Sequence, residues 1–286
     1  MNKPPDHWTV LSMLKWATTY FKEKGIRNPR YSIEWLLAFV LDKKRLDLYL
    51  VYDRPITKKE LSQLKPLVQR RAVHEPLQYI TGETDFFGTK ITVKPGVLIP
   101  RMETEQLMEI VLDKTAALES PNVLDIGTGS GCIPIALKNS RPNWNLFATD
   151  ISEEALSIAQ QNAALNGTDI TFAKDDIYSP SFPPEKILFD VIISNPPYIL
   201  KDEHETLDKE VREFEPELAL FCDSTKYIYG AIQKFSTSFL NKNGLLFLEL
   251  HENHADEVAR LFTQTGWSTT IQKDYDKRDR FLIAKK

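Results

Sequence analysis

Cysteines are scarce in this sequence of 286 residues, and long apolar runs are absent. The two cysteines, Cys132 and Cys222, form no disulfide framework and are too few for a structural zinc site, so we expect two buried, unpaired thiols and no metal. A membrane helix requires about 18 or more consecutive apolar residues, and no such run occurs. The first six residues show no apolar segment of the kind found in signal peptides. We therefore expect a cytoplasmic protein with no membrane contact.

The charge of the chain is unevenly distributed, although its net value is only −4. Residues 1–80 contain 15 lysines and arginines against 8 acidic residues, a net charge of +7, whereas the remainder contains 21 against 32, a net charge of −11. The length allows one large domain and a smaller one, each with its own core. The change of sign suggests two modules with different partners, although a basic module can also be simply a solvated helical surface.

Apolar residues recur at helical spacing in the basic part of the chain. The pattern predicts helices over residues 8–24 and 28–41, the second with Asn28 as its cap. A third helix is predicted to begin at a capping box formed by Thr57 and Glu60. We therefore predict a small all-helical domain over residues 1–80 and interpret it as a substrate-docking domain.

The apolar period changes after residue 80. β-prone residues on both sides of Gly88 predict a hairpin within a linker over residues 81–100. Strands and helices then alternate over residues 101–286, which is typical of a parallel sheet. The strand-like runs are residues 122–126, 144–149, 170–173, 189–193, 244–250, 268–272 and 280–284. The sequence therefore predicts an α/β fold with a seven-stranded, mostly parallel sheet, preceded by the helical domain and the hairpin linker.

A glycine-rich turn follows the first of these strands. The segment is Asp125-Ile126-Gly127-Thr128-Gly129-Ser130-Gly131, and its glycines would let backbone N–H groups approach a ligand. Cys132 stands where the dinucleotide fingerprint requires a third glycine, which disfavours NAD.

Acidic residues follow the next two strands. Asp150 ends the second strand, where a carboxylate can accept from both hydroxyls of a ribose, and we expect it to be exposed with little packing role. Asp176, followed by Ile177, comes after the third strand and is placed to accept from an adenine amino group. Its neighbour Asp175 can equally be a surface carboxylate. These positions fit an adenosine ligand without a pyrophosphate.

The tetrapeptide Asn195-Pro196-Pro197-Tyr198 ends the fourth strand, because two successive prolines cannot continue a sheet ladder. The Asn195 side-chain oxygen and the Pro196 carbonyl would be two acceptors at a set distance, able to bind both hydrogens of a planar NH2 group. Taken alone, the tetrapeptide could also be only a rigid turn. The charged segment that follows, residues 201–223, is long enough to predict a lid or substrate clamp.

The glycine-rich turn, Asp150 and the Asn-Pro-Pro-Tyr segment together resemble class I S-adenosylmethionine-dependent methyltransferases that act on amino nitrogen. Further segments look like the HemK/PrmC protein-glutamine methyltransferases, which modify the glutamine of the Gly-Gly-Gln motif in peptide chain release factors. These segments are residues 75–82, 85–88, 98–101, 103–105, 210–212 and 214–216. The resemblance covers nearly the whole chain. It departs at Met102, where the family usually has proline, and after Glu249, where it commonly has glycine.

The resemblance implies that S-adenosylmethionine is the cofactor, S-adenosylhomocysteine the product, and release factors the protein substrates, so that the enzyme modulates translation termination. We assign cofactor binding to Asp125, Gly127, Thr128, Gly129, Ser130, Gly131, Asp150, Asp176, Ile177 and Asn195. Catalysis is assigned to Asn195, Pro196 and Tyr198, and substrate binding to these residues with Pro197, Phe86 and Phe87. The two phenylalanines are included by resemblance alone, as walls of the pocket. We expect a monomer that acts on no nucleic acid.

Two other functions compete with this interpretation. An amino-methyltransferase acting on DNA or RNA bases could use the same tetrapeptide, but it needs a flipped base and usually a basic target-reading surface, whereas the predicted catalytic part is acidic. A non-catalytic adaptor could hold a partner with the basic helices. The intact glycine-rich turn and Asn195 argue against the adaptor. No histidine stands in a motif, so we expect no general base.

Overall fold

The computed structural model describes residues 7–183 and 187–286. The first six residues of the predicted helical domain and residues 184–186 lie outside the described part of the chain. Two compact units are present: Met1–Gly82 with Asp208–Phe214, and Glu83–Leu207 with Glu215–Lys286. Among the described residues, no helix combines the length and apolar character needed to span a bilayer.

The first unit is helical. Its elements before Gly82 are α1 (Val10–Glu23), α2 (Pro29–Val40), a 3-10 helix (Arg45–Val51), α3 (Lys58–Ala72) and α4 (Leu77–Thr81). The predicted capping box is confirmed, since the Glu60 N–H donates to Thr57 Oγ1 and the Thr57 N–H donates to Glu60 Oε2. Asn28 occupies the N-cap position of α2 with Pro29 in the first turn, as predicted, but its backbone is left-handed with φ of 53° and its side chain makes no capping bond. A capping side chain usually needs an extended backbone to reach the first turn.

Arg71 joins Asp208–Phe214 to this unit. Its guanidinium is nearly buried and donates to Ser32 Oγ at 3.2 Å, to the Glu75 carbonyl at 2.9 Å and to a carboxylate oxygen of Glu210. A buried cation requires such a partner, since an unpaired charge is costly away from water. The helical unit is therefore built from two separate parts of the chain.

The elements that follow α4 alternate between strand and helix. In chain order they are β1 (Glu83–Phe86), β2 (Thr89–Thr92), α5 (Met102–Lys114), β3 (Asn122–Ile126), α6 (Cys132–Ser140), β4 (Asn145–Asp150), α7 (Glu153–Leu165), β5 (Thr171–Lys174), β6 (Phe189–Ser194), β7 (Ile199–Leu200), a 3-10 helix (Lys201–Thr206), α8 (Lys209–Phe214), α9 (Glu217–Leu220), β8 (Phe221–Cys222), α10 (Thr225–Phe239), β9 (Leu240–Glu249), a 3-10 helix (Glu252–His254), α11 (Ala255–Thr263), β10 (Ser268–Lys273) and β11 (Asp279–Lys285). Of these, α8 belongs to the first unit.

A seven-stranded sheet forms the centre of the second unit, in the order β10-β11-β9-β6-β3-β4-β5. The neighbouring strands from β9 to β5 in this order pair in parallel. Strand β11 pairs in antiparallel register with both of its neighbours, β9 and β10. The predicted seven-stranded, mostly parallel sheet is confirmed. The predicted hairpin is also present, since β1 pairs with β2 in antiparallel register.

The central strands are apolar because both faces of the sheet are covered. Phe189, Val191, Ile192 and Ile193 of β6 are fully buried, which explains the continuous apolar run in the sequence. Both cysteines are free and buried, as predicted. The core thus fixes β6 in the middle of the sheet and brings the residues after it to one edge.

Candidate active site

The carboxyl ends of three neighbouring strands meet at one edge of the sheet. Ile126 of β3 is paired with Thr149 of β4 and with Ser194 of β6. Ligands of open α/β sheets bind beyond such strand ends. The next residues along the three strands share this edge: Gly127, Asp150 and Asn195.

A cavity of about 950 Å³ lies here, within the second unit. Such a volume is ample for a small-molecule ligand. Most residues predicted for the site form part of its wall: Gly127, Thr128, Gly129, Ser130, Asp150, Asp176, Ile177, Asn195, Pro196 and Pro197. The structure places the others outside the wall: Phe86, Phe87, Asp125, Gly131 and Tyr198. The residues proposed for cofactor and for substrate therefore share one cavity.

The first three N–H groups of the glycine-rich turn are already bonded within the protein, so its glycines offer a ligand space rather than donors. The N–H groups of Gly127 and Thr128 donate to the Thr149 carbonyl at 2.8 and 3.0 Å, and the Gly129 N–H donates to Asp150 Oδ2 at 2.8 Å. This corrects the expectation that these donors face a ligand, since the next strand already uses them. Gly127 and Gly129 have φ of 75° and 56°, and a Cβ at either would meet nothing within 4 Å. A ligand can therefore approach the turn closely.

Gly131 serves packing. A Cβ there would lie 3.0 Å from the Ala159 Cβ and 3.2 Å from its Cα, and the residue has φ of 79°. A side chain at this position would therefore require α7 to move away from the start of α6. This contact and its position outside the wall correct the expectation that Gly131 contacts a ligand.

Asp150 holds the turn in place. Its Oδ1 accepts from the Ser152 N–H at 2.9 Å, in addition to the bond that Oδ2 accepts from Gly129. Burial raises the pKa of this carboxyl, opposed by the backbone donors. The expectation of an exposed acid with little packing role is wrong. The same carboxylate nevertheless forms part of the cavity wall.

The two acids after β5 differ in their partners. Asp175 Oδ1 accepts from the Ser181 N–H at 2.7 Å, the Ser181 hydroxyl at 3.0 Å and the Phe182 N–H at 3.2 Å, so it shapes the following loop. Asp176 Oδ1 accepts from the Tyr178 N–H at 3.0 Å. Asp176 therefore has more acceptor capacity left for a ligand than Asp175.

Asp125 and Thr128 carry buried polar atoms at the start of the turn. Both carboxylate oxygens of Asp125 and the Thr128 hydroxyl oxygen lack a hydrogen-bond partner within residues 7–183 and 187–286. Burial raises the pKa of the Asp125 carboxyl to about 7. The Thr128 hydroxyl oxygen is itself buried and lies near the Asp125 carboxyl, where it opposes the rise of that pKa.

Asn195 leads from β6 into the two prolines. Its Nδ2 donates to Thr104 Oγ1 at 3.0 Å, and the Thr104 hydroxyl donates to Glu249 Oε2 at 2.7 Å. The Tyr198 hydroxyl donates to Glu249 Oε1 at 3.1 Å. Tyr198 therefore lies outside the cavity wall and is joined to Asn195 through a buried carboxylate rather than facing the cavity.

The phenylalanines of the hairpin are not in the wall. Phe86 is completely buried, and Phe87 is half-buried with φ of 51° and its N–H donated to Glu105 Oε1 at 3.1 Å. The structure thus corrects the expectation that they wall the pocket. In a hairpin, alternate side chains point to opposite faces, and the face that carries Phe86 is the one packed into the core.

The two ends of the segment after Tyr198 are held together. Strand β7 pairs in parallel with β8, and Lys201 forms a 2.7 Å ion pair with Asp223. Residues on both sides of α8 contribute to the cavity wall, among them His204 and Leu218. The position of this segment is consistent with a clamp, and its closure over a ligand stays a prediction.

Sequence reasoning missed Thr104, Glu249 and the Arg101–Glu215 pair. Glu215 is buried, accepts from the Ile99 N–H at 3.0 Å and forms an ion pair with Arg101, which belongs to the wall. Glu249 offered one signal, as a single acid at the end of an otherwise apolar strand. Thr104 lay in segment 103–105, which resembles the family, but a threonine near a helix start is usually read as a cap, so it received no role in the site.

Solved structures of low sequence similarity share the fold of the second unit. A methyltransferase from Pyrococcus furiosus aligns with a TM-score of 0.51 at 20% identity, covering 69% of this chain and 88% of that one. A 16S rRNA methyltransferase from Thermus thermophilus, solved with AdoMet and guanosine, aligns with a TM-score of 0.50 at 16% identity, covering 71% and 49%. At these identities the likeness shows the class I methyltransferase fold alone.

Sequence comparison extends over both units. A family model described as the PrmC N-terminal domain matches residues 12–82, and one described as the methyltransferase small domain matches residues 96–214. A release factor glutamine methyltransferase from Chlorobaculum tepidum is 41% identical over 283 residues, which cover 96% of each chain. A protein of the same name from Geobacter sulfurreducens is 39% identical over 268 residues, which cover 93% of each chain. This near full-length identity confirms the resemblance, and the chain belongs to the family of release factor glutamine methyltransferases.

Proposed function

We propose that the protein transfers a methyl group from S-adenosylmethionine to the side-chain amide nitrogen of the Gly-Gly-Gln glutamine in peptide chain release factors. The observation that carries this proposal is that Asn195 and the glycine-rich turn belong to the wall of one cavity. A methyl donor on the turn and an amide on Asn195 would thus be neighbours. Transfer requires such proximity.

The residues of the cavity fit the cofactor. Gly127 and Gly129 leave open space where other residues would carry a Cβ. In this proposal Asp150 would accept from the ribose hydroxyls, Asp176 and Ile177 would contact the adenine, and Ser130 would complete the turn. When bound, S-adenosylmethionine supplies an electrophilic methyl group on a sulfonium that leaves as a neutral thioether.

Asn195 and Pro196 would bind the substrate amide. An amide nitrogen is a poor nucleophile because its lone pair is delocalised into the carbonyl. Asn195 Oδ1 and the Pro196 carbonyl would accept the two N–H hydrogens, which favours a pyramidal nitrogen with its lone pair toward the methyl group. The nitrogen forms one bond to carbon and releases one proton to solvent, so we assign no general base. Pro197 fixes the backbone that holds both acceptors.

A release factor is the substrate that the relatives' names indicate. We further propose that residues 1–80 dock the release factor, residues 101–286 catalyse methyl transfer, and residues 81–100 link these two parts. The protein would act as a monomer. A nucleic-acid base is a weaker alternative, because residues 81–286 carry a net charge of −11 and phosphates would be repelled. An adaptor without activity would not need the open turn.

Peptide mass spectrometry tests the proposal. The full-length protein is incubated with isotopically labelled S-adenosylmethionine and a folded release factor, and in parallel with DNA and ribosomal RNA. We expect label on the Gly-Gly-Gln glutamine and none on nucleic acid. Label on a base, with none on that glutamine, would replace this function with base methylation.

A further inference from the structure

A hydrogen-bonded relay starts at Asn195, and its second member, Thr104, also belongs to the cavity wall. It runs from Asn195 Nδ2 to Thr104 Oγ1 at 3.0 Å, and from the Thr104 hydroxyl to Glu249 Oε2 at 2.7 Å. Tyr198 donates to the other oxygen of Glu249 at 3.1 Å. Glu249 is completely buried and Thr104 nearly so. The relay therefore links a residue of the cavity wall to a carboxylate that solvent does not reach.

The chemistry of the three groups fixes the direction of each bond. An ionised carboxylate only accepts, so the single hydrogen of the Thr104 hydroxyl must be donated to Glu249. The Thr104 oxygen is then left to accept, and only the Nδ2 side of the Asn195 amide can donate to it. This leaves Asn195 Oδ1 free of the relay.

We propose that Glu249 and Thr104 are positioning residues that fix the Asn195 carboxamide with Oδ1 available to accept from the substrate amide. This inference rests on the proposed function, because the free oxygen matters only if an NH2 group is bound there. A carboxamide can rotate by half a turn and exchange its oxygen and nitrogen with little change of shape. The rotated amide would present a donor to the substrate NH2 group, which needs an acceptor.

The choice of a buried carboxylate supports this role. Burying a charge is costly, and Glu249 has no direct ion pair among the described residues. The nearby Arg280 instead donates to Asp274 Oδ2 at 3.2 Å and to the Leu250 carbonyl at 3.0 Å. A glutamine at this position could donate to Thr104 and so permit the rotated amide. The carboxylate excludes that arrangement because it has no hydrogen to give.

Protonation of Glu249 would remove the preference for one orientation of the Asn195 carboxamide. Burial raises the pKa of its carboxyl to about 7, opposed by the hydrogen bonds from Thr104 and Tyr198, and nearby Arg280 lowers it while Glu103 raises it. Tyr229 also faces this residue and donates to its carbonyl oxygen at 2.8 Å. Once protonated, Glu249 can donate to Thr104, whose hydrogen then becomes available to Asn195 Oδ1. Turnover should therefore fall in acid without a matching loss of cofactor affinity.

Thr104→Val and Thr104→Ser form a matched pair for the test. Valine keeps the shape and removes the hydroxyl, whereas serine keeps the hydroxyl. With a folded release factor as substrate, we expect Thr104→Val to lower kcat about tenfold or more and Thr104→Ser to stay within about threefold of wild type. Calorimetry should give S-adenosylmethionine affinities within about twofold for all three proteins. A Thr104→Val variant with wild-type kcat would overturn the positioning role.

A second measurement needs neither substrate nor turnover. In protein labelled with 15N at asparagine, the Asn195 side-chain NH2 signal, assigned with Asn195→Ala, should shift with pH in wild type and stay constant in Glu249→Gln. A signal that titrates identically in both proteins would exclude the relay. An inactive wild type would count against the proposed function itself, whereas an active wild type with an equally active Thr104→Val overturns only the inference.

Discussion

The N–H of Gly129 donates a 2.8 Å hydrogen bond to Asp150 Oδ2, which ties the glycine-rich turn to the end of the neighbouring strand β4. The other carboxylate oxygen accepts from the Ser152 N–H at the start of α7. One side chain therefore holds the turn, begins a helix and faces the cavity. Its substitution should disturb both local structure and ligand binding.

We expect Asp150→Ala to weaken S-adenosylmethionine binding tenfold or more, because each charge-assisted hydrogen bond contributes roughly 1.5–3 kcal/mol. The free energy of unfolding should also fall by about 1–3 kcal/mol, since two backbone donors lose their acceptor. Calorimetry and urea unfolding measure the two effects. Asp169→Ala, at an exposed acid outside the cavity wall, is the control. Unchanged cofactor affinity in Asp150→Ala would remove this residue from the site.

Asn195→Ala should reduce turnover far more than cofactor affinity. Its hydrogen bond strengthens as the substrate nitrogen becomes pyramidal, so by analogy with loss of one oxyanion-hole donor we expect a cost of about 2.7–4 kcal/mol, or 10²–10³ in kcat. Single-turnover methylation of a release factor measures the step. Asn253→Ala, at an exposed asparagine outside the cavity wall, should behave as wild type. Near-normal turnover in Asn195→Ala would contradict the proposed binding of the amide.

Two glycine substitutions should separate packing from ligand space. Gly131→Ala places a methyl group 3.0 Å from the Ala159 Cβ at a φ of 79°, so it should lower the free energy of unfolding by about 1–3 kcal/mol. Gly129→Ala shares the strain of a positive φ, here 56°, but its Cβ meets no protein atom within 4 Å, so it should lose less stability than Gly131→Ala and show its larger effect on cofactor affinity. Denaturant unfolding measures the loss of stability in each variant, and calorimetry measures the loss of cofactor affinity. Equal losses of stability would contradict the packing role of Gly131.

The buried carboxyl of Asp125 should make stability depend on pH. Burial raises its native pKa from 3.8 to about 7, so the folded state holds this proton more tightly than the unfolded state. The free energy of unfolding should therefore fall as pH rises from about 4 to about 7, by on the order of 2–4 kcal/mol. Asp125→Asn should lack this contribution and become relatively more stable above pH 7. The free energy of unfolding is measured with urea for both proteins from acid to neutral pH. The same pH dependence in wild type and Asp125→Asn would contradict this assignment.

Basic side chains on the helical unit should favour the whole release factor over a peptide. Lys58, Lys59 and Lys65 are exposed on α3, and replacing all three with glutamate should raise KM for the folded factor several-fold while leaving kcat/KM for a Gly-Gly-Gln peptide unchanged. Lys226→Glu with Lys234→Glu, a double charge reversal at exposed positions of α10, is the control. Equal effects on factor and peptide would argue against docking by this unit.

The sheet and the strand ends could be predicted because their signals are local. Apolar runs of strand length, the glycines after β3 and the prolines after Asn195 each act on their own neighbours in the sequence. The contact between Thr104 and Glu249 could not be predicted, because it joins positions 145 residues apart and a buried polar bond leaves no periodic pattern. The use of the Gly129 N–H by Asp150 escaped prediction for the same reason. The alignment of β4 beside the glycine-rich turn decides which backbone N–H groups of the turn remain free for a ligand, and composition does not reveal that alignment.

Arg71 takes its carboxylate partner, Glu210, from a position 139 residues further along the chain. In the whole chain this side chain is only 5% exposed, and a recombinant fragment that stops at Gly82 would lack the carboxylate that neutralises it. Removing one partner of a fully buried ion pair typically costs about 3–5 kcal/mol, and the cost here should be smaller because the Glu210 side chain is 31% exposed. The helical unit includes residues 208–214, which lie far outside its continuous stretch of sequence, Met1–Gly82. A fragment intended to keep the native structure of this unit would therefore need residues 208–214 attached through a synthetic linker.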